Sequence, residues 1–155
     1  MSTEIRRAVI ADAETVLTMM GELADYQDQR QYVTASVADW EGFLAQENVV
    51  VLIASVDGVD AGYVSALRRP YLWVGGDQLA LDDLYVRKEF RDAGVGRELM
   101  LALARIALPD RLPIGWGLRL ENTAGYRFYE RLGARLVTKT AASWSPEAYE
   151  RQLSE

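Results

Sequence analysis

Hydrophobic and polar positions along this chain change period several times. Apolar runs and two-residue alternation, which predict strands, are interleaved with apolar positions three and four residues apart, which predict helices. This interleaving is typical of an α/β or α+β domain. At 155 residues, the chain is long enough for one domain with a full core and too short for two ordinary ones. We therefore predict a single domain over residues 1–155.

The strongest strand signal is a pair of apolar runs on either side of Asp57-Gly58. This dipeptide is typical of a tight β-hairpin turn, so the second and third strands are predicted to be antiparallel. A loop is predicted at residues 69–77, and the tail at residues 140–153 is expected to hold a weak strand and a final helical turn. In chain order, the six main strands are predicted at residues 5–9, 48–55, 61–69, 78–86, 113–120 and 135–139.

Apolar positions at helical spacing predict four helices, at residues 12–27, 36–46, 97–107 and 122–134. Asp12 is in position to cap the first helix, the third is expected to end before Pro109, and Gly133 is expected to end the fourth. The side chains expected to face the core from the first three helices are Val16, Met19, Met20, Leu23, Val37, Trp40, Phe43, Leu44, Leu99, Leu103 and Ile106.

The composition excludes several types of catalytic and metal-binding site. The chain has no cysteine and no histidine, which excludes disulfide frameworks, thiolate nucleophiles, Ser-His-Asp triads and the common zinc sites. Seventeen basic and 23 acidic residues give a net charge of −6, which argues against a nucleic-acid partner and favours cationic or amine partners. No apolar run approaches the roughly 18 residues of a membrane span, so we expect a cytoplasmic protein without a membrane partner.

Two glycines stand between the fourth predicted strand and the third predicted helix, in the stretch "RDAGVG" at residues 91–96. Glycine lets the backbone approach a ligand closely, and the first N–H groups of a helix favour phosphate oxygens. The same glycines also fit an ordinary turn before a helix, so the stretch alone does not decide between these interpretations. It matches neither the nucleoside-triphosphate loop nor the dinucleotide fingerprint.

A second stretch makes the first more specific. "VRKEFRDAGVGRELM" resembles the pyrophosphate motif R/Q-x-x-G-x-G/A of the GNAT superfamily of acetyl-CoA-dependent N-acetyltransferases, here with Arg91, Gly94 and Gly96. About thirty residues later, "ENTAGYRFYERLGA" resembles that superfamily's second signature, N-x-x-A-x-x-L-Y-x-x-x-G-F. The chain departs from this signature in three places, with Gly125 for alanine, Phe128 for leucine and Ala134 for the last aromatic residue.

The resemblance covers nearly the whole chain and implies the GNAT fold. That fold is a mixed, mostly antiparallel sheet of six to seven strands flanked by about four helices, with strands four and five splayed apart. It also implies acetyl-CoA as the co-substrate, no metal, and a homodimer as one arrangement seen among relatives. The backbone of Leu84, Tyr85 and Val86 would pair with the pantetheine arm as an added strand would.

The resemblance also assigns the remaining contacts of the coenzyme. Backbone amides at the glycine pair would bind the pyrophosphate, Asn122 would contact the arm near the thioester, and Tyr129 would lie near the coenzyme sulfur. Asn122 also fits a simple helix cap, and Arg91 also fits an ion pair with a nearby acid. The further coenzyme-binding residues expected from the resemblance are Arg91, Asp92, Ala93, Gly94, Val95, Gly96, Arg97 and Tyr126.

Catalysis without histidine or cysteine favours direct attack of the amine within a ternary complex over an acetyl-enzyme intermediate. The resemblance implies that Tyr129 is the general acid for the leaving thiolate. It also places Asp82 where relatives carry the carboxylate that takes the amine proton. Asp82 and Asp83 are neighbours in a strand, so only one is expected to face the splay. Each of these residues also has a structural interpretation: Tyr129 fits the core, and the aspartates fit solvated or ion-paired positions.

Within the superfamily, the chain most resembles the branch of the diamine and thialysine acetyltransferases, which carry a similar E-L-A-x-Y helix end. Tyr26, Asp82 and Asp83 are the expected substrate-binding residues. Gln27 stands where that branch is expected to have an acid, and Arg68 and Arg69 oppose a polycation. Guanidinium groups pair well with carboxylates and phosphates, so these arginines favour an amino acid or amino-acid-like amine, although they also fit a solvated surface pair.

Three functions are compatible with these observations. The first is an N-acetyltransferase that acts on a primary amine of a small molecule, such as an amino acid, an amino-acid-like antimetabolite or another amine. The second is an acetyltransferase for a protein N-terminus or lysine, which would need an open groove in place of a closed pocket. The third is a non-catalytic acyl-CoA-binding module, in which Tyr129 and Asp82 would have no chemical role.

Overall fold

A five-stranded sheet forms the first of two structural units. In the computed structural model, residues 2–154 are described; one unit ends at Gly117 and the other begins at Leu118. The strands are neighbours in chain order: β1, β2, β3 and β4 are mutually antiparallel, and β5 is parallel to β4. Their bounds are β1 Thr3–Arg7, β2 Val49–Val56, β3 Val59–Tyr71, β4 Gly76–Val86 and β5 Ile114–Gly115.

Three α-helices complete the first unit, and two lie in the second. In the first unit these are α1 Ala13–Tyr26, α2 Val37–Leu44 and α3 Val95–Ala107; in the second they are α4 Thr123–Arg131 and α5 Pro146–Leu153. The predicted mixed α/β class and the antiparallel β2–β3 hairpin are confirmed. Asp57 and Gly58 both have positive φ, 49° and 82°, as the tightest hairpin turns require.

The strand count was overestimated. Among the described residues the sheet has five strands, and the predicted fifth strand at 113–120 is reduced to Ile114–Gly115, since glycines at 115 and 117 weaken a strand. No strand forms at 135–139, where only Leu136 is half-buried and the other four residues are exposed. The tail forms the eight-residue helix α5 and no strand, and β3 and β4 extend into the predicted loop, leaving residues 72–75.

Several helix details also differ from the predictions. The carboxylate of Asp12 precedes α1 without capping it, because it accepts from both terminal nitrogens of Arg6, at 2.7 and 2.8 Å, and from the amide of Val9. In α3 the buried stripe follows four-residue spacing through Val95, Leu99, Leu103 and Ala107, which leaves Ile106 at its exposed margin. The expected core residues Val37 and Phe43 of α2 are also exposed.

The core lies on both faces of the sheet. Helices α1 and α2 cover the face that carries Val51, Ile53, Tyr63 and Tyr85, and their own contribution includes Val16, Met19 and Trp40. We call this the α1 face. Helix α3 packs on the other face, which we call the α3 face, against β2, β3 and β4. Residues on β3 and β4 therefore belong to one face or the other by simple alternation, except where the ladder is interrupted.

Candidate active site

A β-bulge interrupts the ladder between β3 and β4 at the two adjacent aspartates. Val64 pairs with Leu84 and Ala66 pairs with Leu81, so the single residue Ser65 lies opposite both Asp82 and Asp83. A bulge of this kind cancels the alternation of side chains locally. The expectation that the two aspartates point to opposite faces is therefore wrong, because Leu81 and Leu84 share the α3 face and both carboxylates are left to the α1 face.

The carboxylates of the bulge form a small polar cluster with Tyr63, whose side chain is fully buried. The Tyr63 hydroxyl donates to Oδ2 of Asp83 at 3.0 Å, and the amide of Asp83 donates to Oγ of Ser65 at 3.2 Å. Burial, and then the nearby charge of Asp83, raises the pKa of Tyr63, so this hydroxyl remains a proton donor in its hydrogen bond.

Both aspartates hold protons more tightly than usual. Burial raises the pKa of Asp83; the hydrogen bond from Tyr63 acts in the opposite direction, and the charge of Asp82 adds to the increase. Asp82 is partly open to solvent, yet desolvation raises its pKa too, against the opposing influence of Arg69. Two adjacent carboxylates with raised pKa values are suited to binding a cation or accepting a proton.

The edge of β4 that faces β5 is largely unpaired. Strand β5 pairs only with Leu79 and Ala80, whereas β3 accompanies β4 along its whole length. The amide of Arg87 donates to the carbonyl of Ala61 on β3. Since consecutive residues in a strand turn their polar groups to opposite edges, Tyr85 also faces β3, and Leu84 and Val86 face the open edge. The Val86 carbonyl accepts from Nε of Arg91 at 2.9 Å.

The glycine-containing turn follows this edge and presents a series of backbone donors. The amides of residues 92–97 donate to no acceptor among residues 2–154, and no side chain caps α3. Gly94 is the N-cap residue, with a φ of 83°, and a side chain there would be strained. Six consecutive free N–H groups at the start of a 13-residue helix form an anion-binding arrangement. The amide of Arg91 is excluded, because it donates to Lys88.

Arg91 connects this turn to the end of α1. Its guanidinium lies over the ring of Tyr26, 4.8 Å from the ring centre, and within 6.0 Å of the Tyr85 ring. A cation held over an aromatic face is attracted by the ring electrons. The predicted substrate residue Tyr26 is otherwise exposed, so this contact and the bond to Val86 give Arg91 a structural position between α1 and β4.

A second connection between α1 and β4 was not predicted from the sequence. Glu22 accepts from Nε and a terminal nitrogen of Arg87, at 3.0 and 2.8 Å, and from the hydroxyl of Tyr85 at 3.1 Å. The Arg87 bond lowers the pKa of Glu22, so this carboxylate stays charged. The sequence signal that could have indicated this connection is a glutamate on the apolar side of α1. For the polar cluster at the bulge, the corresponding signal is the inward position of Tyr63 and Ser65 on β3.

In the second unit, the predicted residues lie at the beginning and in the body of α4. Oδ1 of Asn122 accepts from the amide of Gly125 at 2.9 Å, so the capping interpretation of Asn122 is correct. Tyr126 is half-buried and Tyr129 is buried, with its ring edge-on to Phe128 at 5.0 Å. Burial raises the pKa of Tyr129, which keeps its hydroxyl protonated at neutral pH.

Among residues 2–154, no group of three or more acidic side chains is arranged to hold a metal ion. Nor does that part of the chain contain a helix with the length and apolar character needed to span a membrane.

Comparison with known proteins identifies the family. The model of the Acetyltransferase (GNAT) family matches residues 14–134, which include the bulge, the glycine-containing turn and α4. The chain belongs to the GNAT acetyltransferase family. It is therefore an acetyl-transferring enzyme, and the resemblance found in the two sequence motifs is confirmed.

Relatives of this GNAT enzyme include two named thialysine N-ε-acetyltransferases. The protein from Sus scrofa is 27% identical over 164 residues, which cover 96% of this chain and 93% of the relative. The protein from Caenorhabditis elegans is 30% identical over 129 residues, which cover 83% and 80%. The predicted likeness to the thialysine branch is thus confirmed.

Solved structures agree on the fold. An integron cassette protein from the mobile metagenome of V. cholerae has a TM-score of 0.78 at 23% identity, covering 100% of this chain and 99% of the other. A soil-metagenome aminoglycoside acetyltransferase, crystallised with trehalose, has a TM-score of 0.80 at 12% identity, covering 92% and 95%. At these identities the likeness supports the GNAT fold alone.

Replacing Asp83 by asparagine is expected to stabilise the GNAT enzyme at neutral pH. A carboxyl group whose pKa is raised on folding binds its proton more tightly in the folded state, so folding stability falls as pH rises from the ordinary value of 3.8 through the folded value. Asp83→Asn removes this loss. Urea unfolding should therefore show a gain in the free energy of unfolding at pH 7 that disappears toward pH 3.

The control is Asp28→Asn, which removes one negative charge from an exposed position. It should not reproduce the pH-dependent gain. Equal gains for Asp83→Asn at pH 7 and at pH 3 would show that the buried carboxylate is not the source of the effect.

Proposed function

We propose that this GNAT enzyme transfers an acetyl group from acetyl-CoA to a primary amine of a small molecule, by direct attack within a ternary complex. The observation that carries the proposal is that the open β4 edge, which ends at Val86, is followed in the chain by the six free amides of residues 92–97. A strand edge suits an extended amide-containing arm, and the amides at the start of α3 suit a pyrophosphate. Acetyl-CoA, with both groups, supplies an acetyl thioester as the acyl donor.

The residues present fit this coenzyme. Leu84 directs both its N–H and its C=O to the open edge, whereas Val86 retains only its N–H because its carbonyl binds Arg91. We therefore propose that Leu84 and Val86 pair with the pantetheine arm, and that Tyr85 contributes through its side chain. The amides of Asp92, Ala93, Gly94, Val95, Gly96 and Arg97 would hold the pyrophosphate, with Arg91 positioning the turn.

The two carboxylates of the bulge provide the acceptor chemistry. An amine is protonated at neutral pH and must lose a proton before it can attack a carbonyl carbon. We propose that Asp82, the more exposed of the pair, accepts this proton directly or through water. Asp83, held by Tyr63 at 3.0 Å, would fix the orientation of the incoming ammonium group.

The leaving thiolate needs a proton, for which we propose Tyr129. This assignment rests on the second GNAT motif and is supported by the raised pKa of the buried hydroxyl, which keeps it in the protonated form that an acid requires. Asn122 and Tyr126, on the same helix, are proposed to contact the coenzyme. Because the family match crosses Gly117, we propose that both structural units belong to one N-acetyltransferase domain.

A small molecule is the proposed acceptor because the two relatives above are named for a free amino acid that carries a side-chain amine. Tyr26, exposed beneath Arg91 at the end of α1, would then line the acceptor side together with Asp82 and Asp83. The homodimer and the cytoplasmic location stay predictions.

Replacing Gly94 by valine is expected to weaken coenzyme binding. At a φ of 83° a β-branched residue is strained, so the turn must rearrange and displace its free amides. Titration calorimetry with coenzyme A should show about a tenfold or greater rise in Kd, which corresponds to ~1.4 kcal/mol. The matched control is Gly75→Val in the β3–β4 hairpin, where φ is also 83°. Equal coenzyme affinities in the two variants would refute the role of the turn.

Replacing Tyr129 by phenylalanine is expected to slow turnover without weakening the coenzyme. Loss of a general acid commonly costs about 10²-fold or more in rate. The release of coenzyme A should be followed with a thiol reagent over a panel of amines, and the Kd of coenzyme A measured in parallel. The control is Tyr149→Phe on α5, a tyrosine outside the motif. A kcat equal to that of the parent enzyme across the pH range would rule out Tyr129 as the acid.

A further inference from the structure

Two adjacent arginines on β3 have different environments. Arg68 lies on the α3 face, where its Nε donates to Asp77 at 2.8 Å and a terminal nitrogen donates to Asp110 at 3.1 Å. Its charge is thus matched by two carboxylates. The interpretation of a surface ion pair is therefore correct for Arg68, which is committed to the protein and has little capacity left for a substrate.

Arg69 lies on the opposite face and has no such partner. Arg69 lies an even number of positions from Tyr63 and Ser65 on β3, so its side chain belongs to the same face, the α1 face. There it is opposite Gln78 of β4. The side chain is exposed and forms no ion pair or hydrogen bond with any residue between 2 and 154. An unmatched guanidinium therefore shares a face with the carboxylates of Asp82 and Asp83.

One apolar residue pair separates this cation from these carboxylates, and we call it the Leu67–Ala80 step. Leu67 and Ala80 form the intervening pair of the ladder on the α1 face, and both are half-buried. Ser65, opposite the bulge, is four residues from Arg69, so the two backbone positions are about 13 Å apart. The long Arg69 side chain shortens this span, and its charge lowers the pKa of Asp82 across it.

We propose that Arg69 binds the carboxylate of the acceptor while the Asp82–Asp83 pair receives its amine. This inference rests on the proposed function and names the substrate class: an amino acid that is acetylated on a side-chain amine. A guanidinium fork is well matched to a carboxylate. An α-amine, two bonds from its own carboxylate, cannot reach across the Leu67–Ala80 step, whereas an amine at the end of a methylene chain can.

The test compares amines that differ only in the carboxylate. Three pairs are used: L-lysine with cadaverine, L-ornithine with putrescine, and thialysine with its decarboxylated diamine. Initial rates of coenzyme A release give kcat and KM for each amine with the parent enzyme and with Arg69→Gln, Arg69→Lys and Arg105→Gln. Arg105 is an exposed arginine of α3, so its variant matches the change in net charge.

The parent enzyme should show the lower KM for the amino acid in at least one pair. Arg69→Gln should raise that KM about tenfold or more with little change in kcat, since a hydrogen-bonded charge pair is lost. The KM for the matching diamine should fall, because its second ammonium no longer meets a cation. Arg69→Lys should restore part of the preference, and Arg105→Gln should leave it unchanged.

Two failures are distinguishable. In the first, the amines are acetylated, but the parent enzyme shows no preference for the carboxylate or Arg69→Gln retains that preference. This result would overturn the role of Arg69 and leave the proposed acetyl transfer intact. The absence of coenzyme A release with every amine of a wider panel would instead contradict the proposed function, and the inference about Arg69 would fall with it.

Discussion

The geometry of this enzyme depends on the unequal pairing of strand β4. On one side β3 follows it for its full length; on the other, β5 pairs with Leu79 and Ala80 only. Unpaired backbone groups of a strand edge are ordinarily a liability, because they invite pairing with another chain. Here the exposed edge ends at Val86, and a short 3-10 helix, Lys88–Phe90, separates it from the turn at residues 92–97, whose amides are also unpaired. A single ligand with an amide arm and a pyrophosphate can satisfy both sets of donors.

The same strand carries the two carboxylates of the proposed acceptor side. A bulge places one extra residue opposite Ser65, and this single insertion brings Asp82 and Asp83 onto one face, next to the buried hydroxyl of Tyr63. Without the insertion, alternation would send one carboxylate into the apolar surface that packs on α3. The end of α1 is held against this region by the Glu22 ion pair with Arg87 and by Tyr26 beneath Arg91. The proposed coenzyme and acceptor sites therefore share strand β4.

The sequence predicted the features that depend on local chemistry. Asp57-Gly58 identified its hairpin, and the two glycine-containing motifs identified the family and the turn before α3. It did not predict features that depend on a partner elsewhere in the chain. The bulge at Asp82 exists only relative to β3, and residues 135–139, predicted as a strand, are mostly exposed and form none. Likewise, the difference between Arg68 and Arg69 arises from Asp77 and Asp110, which approach only one of them.

We propose that the open edge of β4 and the free amides after it bind one coenzyme. Amide hydrogen exchange, measured residue by residue with and without coenzyme A, tests it most directly. Exchange should slow at Leu84, Val86 and residues 92–97 when the coenzyme is present, with no change at Ile53 in β2, which is paired with a strand on each side. Unchanged exchange at these amides under saturating coenzyme A would contradict it.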